Sequence, residues 1–291
     1  MTVALNEQHI ERLSWAFDAV ESWIEITSNA PIRCREGSVL LEDDRANSSY
    51  PVSVPAWGAI VRSVEHLNAI RLLFQGTGVL FPSAYFSMAM PALLGACRAV
   101  WIISPDSREE RQRRAWLCQK EEADGVIGMT SDILKNQRLN TLPNGAELRA
   151  TAEKSKASAK VIDDDLITML KARGSTTRVD LTKMVEQAAR HVFGSHPDPF
   201  LESGVLFNWR TSSGDAHALS WQMQLRNPAP LTKTDESEPG YRTEFWTSSV
   251  TDLMQNFCGI TLILNEALDL YQQMSQHPTA PNLFDSNKFN G

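Results

Sequence analysis

The chain lacks most of the features that announce a chemistry. Of its 291 residues only four are cysteine, at positions 34, 97, 118 and 258. They are scattered, with no CxxC and no histidine at ligand spacing. Neither a disulfide framework nor a zinc site is expected, and a reducing cytoplasm suits such a chain. GxxxxGKS or GxxxxGKT, GxSxG and HExxH are all missing, so nucleoside-triphosphate hydrolysis, esterase and zincin chemistry have no support. Positive charge is also scarce. Lys and Arg number 28 against 35 Asp and Glu, a net charge of −7. A general nucleic-acid binder carries a basic field, so any nucleic-acid contact here must be local. The first residues show no basic stretch followed by an apolar one, and no secretory signal is expected. The uncharged stretch 79–97 approaches the length of a bilayer span. Pro82, Pro91 and Gly95 interrupt it and Arg98 follows at once, which fits a buried central helix rather than a membrane span.

What is present is helical periodicity. Hydrophobic residues make up 42% of the chain, enough for a full core. Ile10, Leu13, Phe17, Val20 and Ile24 repeat at 3-4-3-4 spacing in a first helix. Residues 30–53 read as a long irregular connection in which SVLL and PVSV form short extended pieces. A second helix is expected over 55–75, a third over 79–103, and a fourth from Ser107 or Asp106 to about 137. One or two more follow over 146–172. Thr177 and Asp180 form a capping box for a helix that stops at Gly194. The next helix runs from about 200 to 225, PAPLTKTDESEPG at 228–240 is flexible, and the last helix carries Trp246, Val250, Leu253, Phe257, Ile260, Leu264 and Leu268. The expectation is an all-α multi-helix bundle, one domain over 1–275 with a polar tail over 276–291.

Arg210 and His217 are the most informative pair. They stand seven residues apart in RTSSGDAHALSW, two helical turns, so both leave one face about 10 Å apart. Ser213 and Gly214 lie between them, and Trp221 continues the line. A planar cation that suits phosphate then shares a groove with a titratable imidazole, the minimum equipment for binding a phosphodiester. A structural helix produces the same pattern when Arg210 meets a carboxylate and Gly214 admits a neighbour. Glu65-His66 in the second helix is an accessory acid/base pair or an ordinary exposed pair. Arg108, Arg111, Arg113 and Arg114 form the densest positive charge, but Glu109 and Glu110 interleave with them and a solvated helix start is expected. Asp163, Asp164 and Asp165 point in three directions on a helix and make a poor cation site. His191, His196 and Asp198 straddle a glycine and a turn, so neither a metal nor a cofactor is expected. Trp15 and Trp23 lie off the main stripe of the first helix and offer a second contact face, which suits a homodimer.

Three pieces carry a resemblance. SVEHLNAIRLL at 63–73, AVWIISPDSREERQRRA at 99–115 and WRTSSGDAHAL at 209–219 are together similar to a group of uncharacterised all-helical actinobacterial proteins with an R-x2-S-x3-H helix. That helix in turn distantly resembles HEPN domains, with an Arg followed by a His. Two positions where the group tends to carry Arg and Glu hold Met90 and Leu94 here. The resemblance implies an HEPN-like helical core with extra helices. It also implies an RNA-directed protein, a metal-independent ribonuclease of toxin or antiphage-defence type, in which Arg210, Ser213 and His217 act from paired protomers. The alternative is a non-catalytic protein that uses the same groove for a nucleotide, nucleic-acid or protein partner.

Overall fold

The computed structural model describes residues 6–29, 32–81, 83–226, 231–234, 242–245 and 249–276, with side chains at all but the two short strand segments. Among these residues the chain forms ten α-helices: α1 (Glu7–Thr27), α2 (Val39–Ala46), α3 (Ser53–Thr77), α4 (Ala84–Ile103), α5 (Arg108–Lys135), α6 (Gly145–Ala172), α7 (Leu181–Phe193), α8 (Phe200–Ala216), α9 (Trp221–Arg226) and α10 (Val250–Ser275). A 3-10 turn at Gln137–Thr141 joins α5 to α6. An antiparallel pair of short strands is also present, β1 (Leu231–Thr234) and β2 (Arg242–Phe245), with Leu231 opposite Phe245. The all-α expectation therefore holds at the level of a multi-helix bundle.

The apolar run forms α4, and α3, α5, α7, α8 and α10 all pack against it. By length and composition this helix would cross a bilayer, yet most of it is buried inside the bundle. Leu93, Val100, Ile102 and Ile103 are almost wholly removed from water, each contributing about 1.5–3 kcal/mol. Small residues set the approach of its neighbours. A β-carbon at Gly95 would lie 2.7 Å from the carbonyl oxygen of Ala59 on α3 and 3.2 Å from Ser63 Cβ. Ser63 Oγ donates to the Ala92 carbonyl at 2.8 Å, pinning α3 to α4.

Several local expectations are corrected. SVLL is not extended. Ser38 Oγ accepts from Leu41 N and starts α2, which buries Leu40 and Asp43. PVSV opens α3. Asp180 alone caps α7, accepting from Lys183 N. LTKT within the expected flexible segment is strand β1. Trp23 lies in the core rather than on a second face, and Trp15 packs against that core, while Ile10 is exposed. Trp246 and residues 277–291 lie outside the described residues. α10 starts at a full capping box, Ser249 with Asp252.

The arginine cluster is not a solvated helix start. Arg111 and Arg108 both reach Asp43 of α2, at 2.6 and 3.0 Å, and the Asp43 carboxylate is fully buried. Arg113 and Arg114 both take Glu110, and the Arg113 hydrogen bond leads in holding that carboxyl down at about 2. Arg114 also lies over the Trp101 ring. The aspartate run divides as its spacing implies. Asp163 meets Lys120 at 3.1 Å, Asp164 meets Lys160 at 2.7 Å, and Asp165 accepts from Tyr50. Arg108 and Arg111 thus tie α5 to α2, and Asp163 and Asp165 reach outside α6, whereas the Glu110 and Asp164 pairs lie within single helices.

Two measurements check this packing. Gly95→Ala should lower unfolding free energy by about 1–3 kcal/mol in urea titration with an unchanged slope, because the obstacle is backbone and the helices must part. Asp269, buried on α10 with one carboxylate oxygen lacking a partner, has its pKa pushed up to about 6, chiefly by burial and secondly by Glu266. It therefore takes up a proton on folding between about pH 4 and that value, and wild-type stability falls as pH rises through the window. Thermal melts should place Asp269→Asn above wild type at pH 7.5, with the gap closing at pH 4.

Candidate functional site

The site is built on α8. Val205, Trp209 and Ser212 face the core, and α4 and α7 pack on this helix. That arrangement turns Arg210 and His217 outward. Both are exposed and Ser213 is half-buried. His217 N donates to the Ser213 carbonyl at 3.1 Å, so the helical turn that aligns them is intact. The side chains of Arg210, Ser213 and His217 make no hydrogen bond or ion pair with another described residue. Phe207 is exposed one turn before Arg210. Arg210 has no carboxylate at the third or fourth position on either side, where a helical ion pair would form.

The helix ends earlier than expected, and for a specific reason. His217 is the C-cap, Ala218 adopts a left-handed backbone with φ 55°, and Leu219 N returns to the Gly214 carbonyl at 2.9 Å. Ala218 N meanwhile donates to the Asp215 carbonyl at 3.0 Å. This pair of bonds is a Schellman closure with alanine where glycine is usual. The chain reverses and α9 folds back over α8, so Trp221 does not continue the Arg/His line. A β-carbon at Gly214 would meet Gln222 Oε1 at 3.0 Å and Trp221 Cζ2 at 3.2 Å. Gly214 is therefore the close-approach point for α9, not the floor of a groove.

What holds this reversal is a group that the sequence pattern did not single out. The Asp215 carboxylate is buried and accepts from Ser83, just before α4, at 3.0 Å, from Gln222 at 3.0 Å and from Arg226. Arg226 is itself almost wholly buried and lies 3.7 Å above the Phe86 ring. The only signal for the pair in the sequence is an acid and a base eleven residues apart across a short helix. Beyond Arg226 a cleft of about 840 Å³ separates α8 from α10, with Phe200, Phe207 and Asn208 on its α8 wall.

The accessory pair is elsewhere. Glu65 and His66 lie on α3, which packs on α4, α1 and α10 but not substantially on α8. Glu65 is exposed and His66 half-buried. Burial depresses the His66 pKa more than Glu65 raises it. His191 contacts Glu266 at 3.1 Å, while His196 accepts from Asp198 N. No three His, Cys, Asp or Glu side chains among the described residues gather as a metal site.

Among the described residues the arrangement presents an exposed, unpaired guanidinium, a hydroxyl and an imidazole along one helical edge. It can hold an anion and move one proton. Compared with protein-family models, curated proteins and solved structures, the chain matches none.

Two substitutions should move stability in opposite directions. Asp215→Ala leaves Arg226 buried without its counter-charge and should cost about 3–5 kcal/mol. Ala218→Gly relieves the left-handed alanine and should add about 1 kcal/mol. Chemical denaturation of the two variants beside wild type reads both.

Proposed function

We propose that this chain is an RNA-directed, HEPN-like protein in which Arg210, Ser213 and His217 engage an RNA phosphate. One observation carries the reading. The only two groups on α8 suited to a phosphodiester share an exposed edge, and neither is consumed by the fold. The densest arginine cluster, at the start of α5, is by contrast spent on ion pairs. An arginine left unpaired beside an unpaired histidine offers a bidentate contact to phosphate and a proton relay. Phe207, one turn away, gives an unpaired base a ring to stack on.

Cleavage on this reading is metal-independent transesterification. The 2′-hydroxyl loses its proton and attacks phosphorus, and the 5′-oxygen takes up a proton as it leaves. One imidazole serves one of these roles at a time, so two protomers joined across α8 would complete the pair. A second reading is favoured by a separate observation. Asp215, the nearest carboxylate, is turned inward to Arg226, and Glu65 and His66 sit on another helix. With no second acid or base on that edge, a single protomer binds RNA without cutting it.

Purified protein incubated with total RNA in EDTA tests both. The first reading expects cleavage that His217→Ala abolishes without shifting the melting temperature. Arg210→Lys should also lose it, because a point charge does not reproduce a planar fork. Arg210-dependent binding without cleavage selects the second reading. RNA that neither binds nor breaks would sink both.

A further inference from the structure

A second site lies away from α8, in a cleft of about 560 Å³ between α3, α5 and α6. It exists because the facing positions are small. α3 contributes Gly58, where a β-carbon would find only the Arg62 side chain at 3.6 Å. α5 contributes Ala123 and α6 contributes Ser158 and Ala159. α5 packs closely on α6 but only lightly on α3, so nothing closes the gap. Val54 and Ile162 stand exposed at the mouth, and Val126 lines the α5 wall. The volume falls in the range of small-molecule sites, and apolar walls around few polar groups are their usual make-up.

The charges in the cleft decide what enters. Arg62 is paired with Glu122 at 3.1 Å, and Arg98, reaching in from α4, is paired with Glu121 at 2.5 Å. Cys118 on the wall is a neutral thiol, its pKa pushed up to about 12 by burial. Each cation thus has its anion, and neither sign is in excess. A carboxylate head would be set against Glu121 and Glu122, and an ammonium head against the two arginines.

We propose that this cleft binds a neutral, largely apolar small molecule. Its apolar body lies along Val54, Val126 and Ile162. The site is independent of the α8 edge and stands whether or not that edge binds RNA.

The test uses a matched pair of probes on the full chain, 6-propionyl-2-(dimethylamino)naphthalene and 6-(dimethylamino)naphthalene-2-carboxylate. They share the ring system and differ at the head. Fluorescence titration should show a saturable, blue-shifted complex with the neutral ketone and binding at least about tenfold weaker for the acid, a factor of ten being about 1.4 kcal/mol. Ser158→Trp, an exposed position on the cleft wall, should abolish ketone binding with the helical circular dichroism unchanged. No saturable ketone binding, ketone binding that survives Ser158→Trp, or an acid bound as tightly as the ketone would overturn the proposal.

Discussion

Keeping α4 dry is the constraint on which the rest of the bundle depends. A twenty-residue helix this apolar is stable in water only when other helices cover it. α3 and α10 cover most of it, and α7, α8 and α5 complete the enclosure. The contacts that do this are made through small groups, Gly95 against Ala59 and Ser63 against Ala92, so the covering helices stand close and have little freedom to shift. α8 inherits its rotation from this arrangement. With Val205, Trp209 and Ser212 committed inward, the opposite edge has to carry Arg210 and His217.

Charge plays a different part from apolar area. The chain is acidic overall, yet several of its buried charges come as opposed pairs between different helices: Asp43 with Arg111, Asp163 with Lys120, Asp215 with Arg226. Replacing such pairs with apolar residues is often neutral or stabilising, so their contribution is better read as orientation than as strength. Each fixes one helix against another at a single register. α2, a helix of eight residues, holds its position on α5 through Asp43, which receives two arginines and a glutamine bond to its carbonyl.

The sequence made the fold class legible because apolar period is a property of each segment taken alone. α1, α4, α7 and α10 could be placed within a few residues from that period and from caps such as Ser107 and Asp180. It hid what depends on partners. SVLL looks extended in isolation and becomes α2 because Ser38 caps it and Asp43 finds arginines sixty-odd residues away. The end of α8 was illegible for the same reason. Alanine is a poor stop signal, and the force that tolerates it, a carboxylate meeting an arginine across the reversal, appears only once the chain has folded back. The alignment of Arg210 and His217 on one helical edge is readable from a two-turn spacing, but their exposure is not, since an Arg210 paired inside the bundle fits the same spacing. Asp215, between them in sequence, stands out by no pattern, because its partner Arg226 meets it only across the reversal.

The left-handed residue at 218 ties the outward face of α8 to a contact that faces inward. His217 sits at the hinge of the reversal, and its backbone position is set by where α9 docks, through Asp215, Gln222 and Arg226. A genetic screen for chains that have lost whatever His217 does would therefore return two kinds of hit. Some would fall on the edge itself, and others on residues eleven positions apart and hidden from solvent. A map drawn from such a screen would show a surface site with roots in the interior, and the buried members would be missed by anyone looking only for groups that touch a ligand.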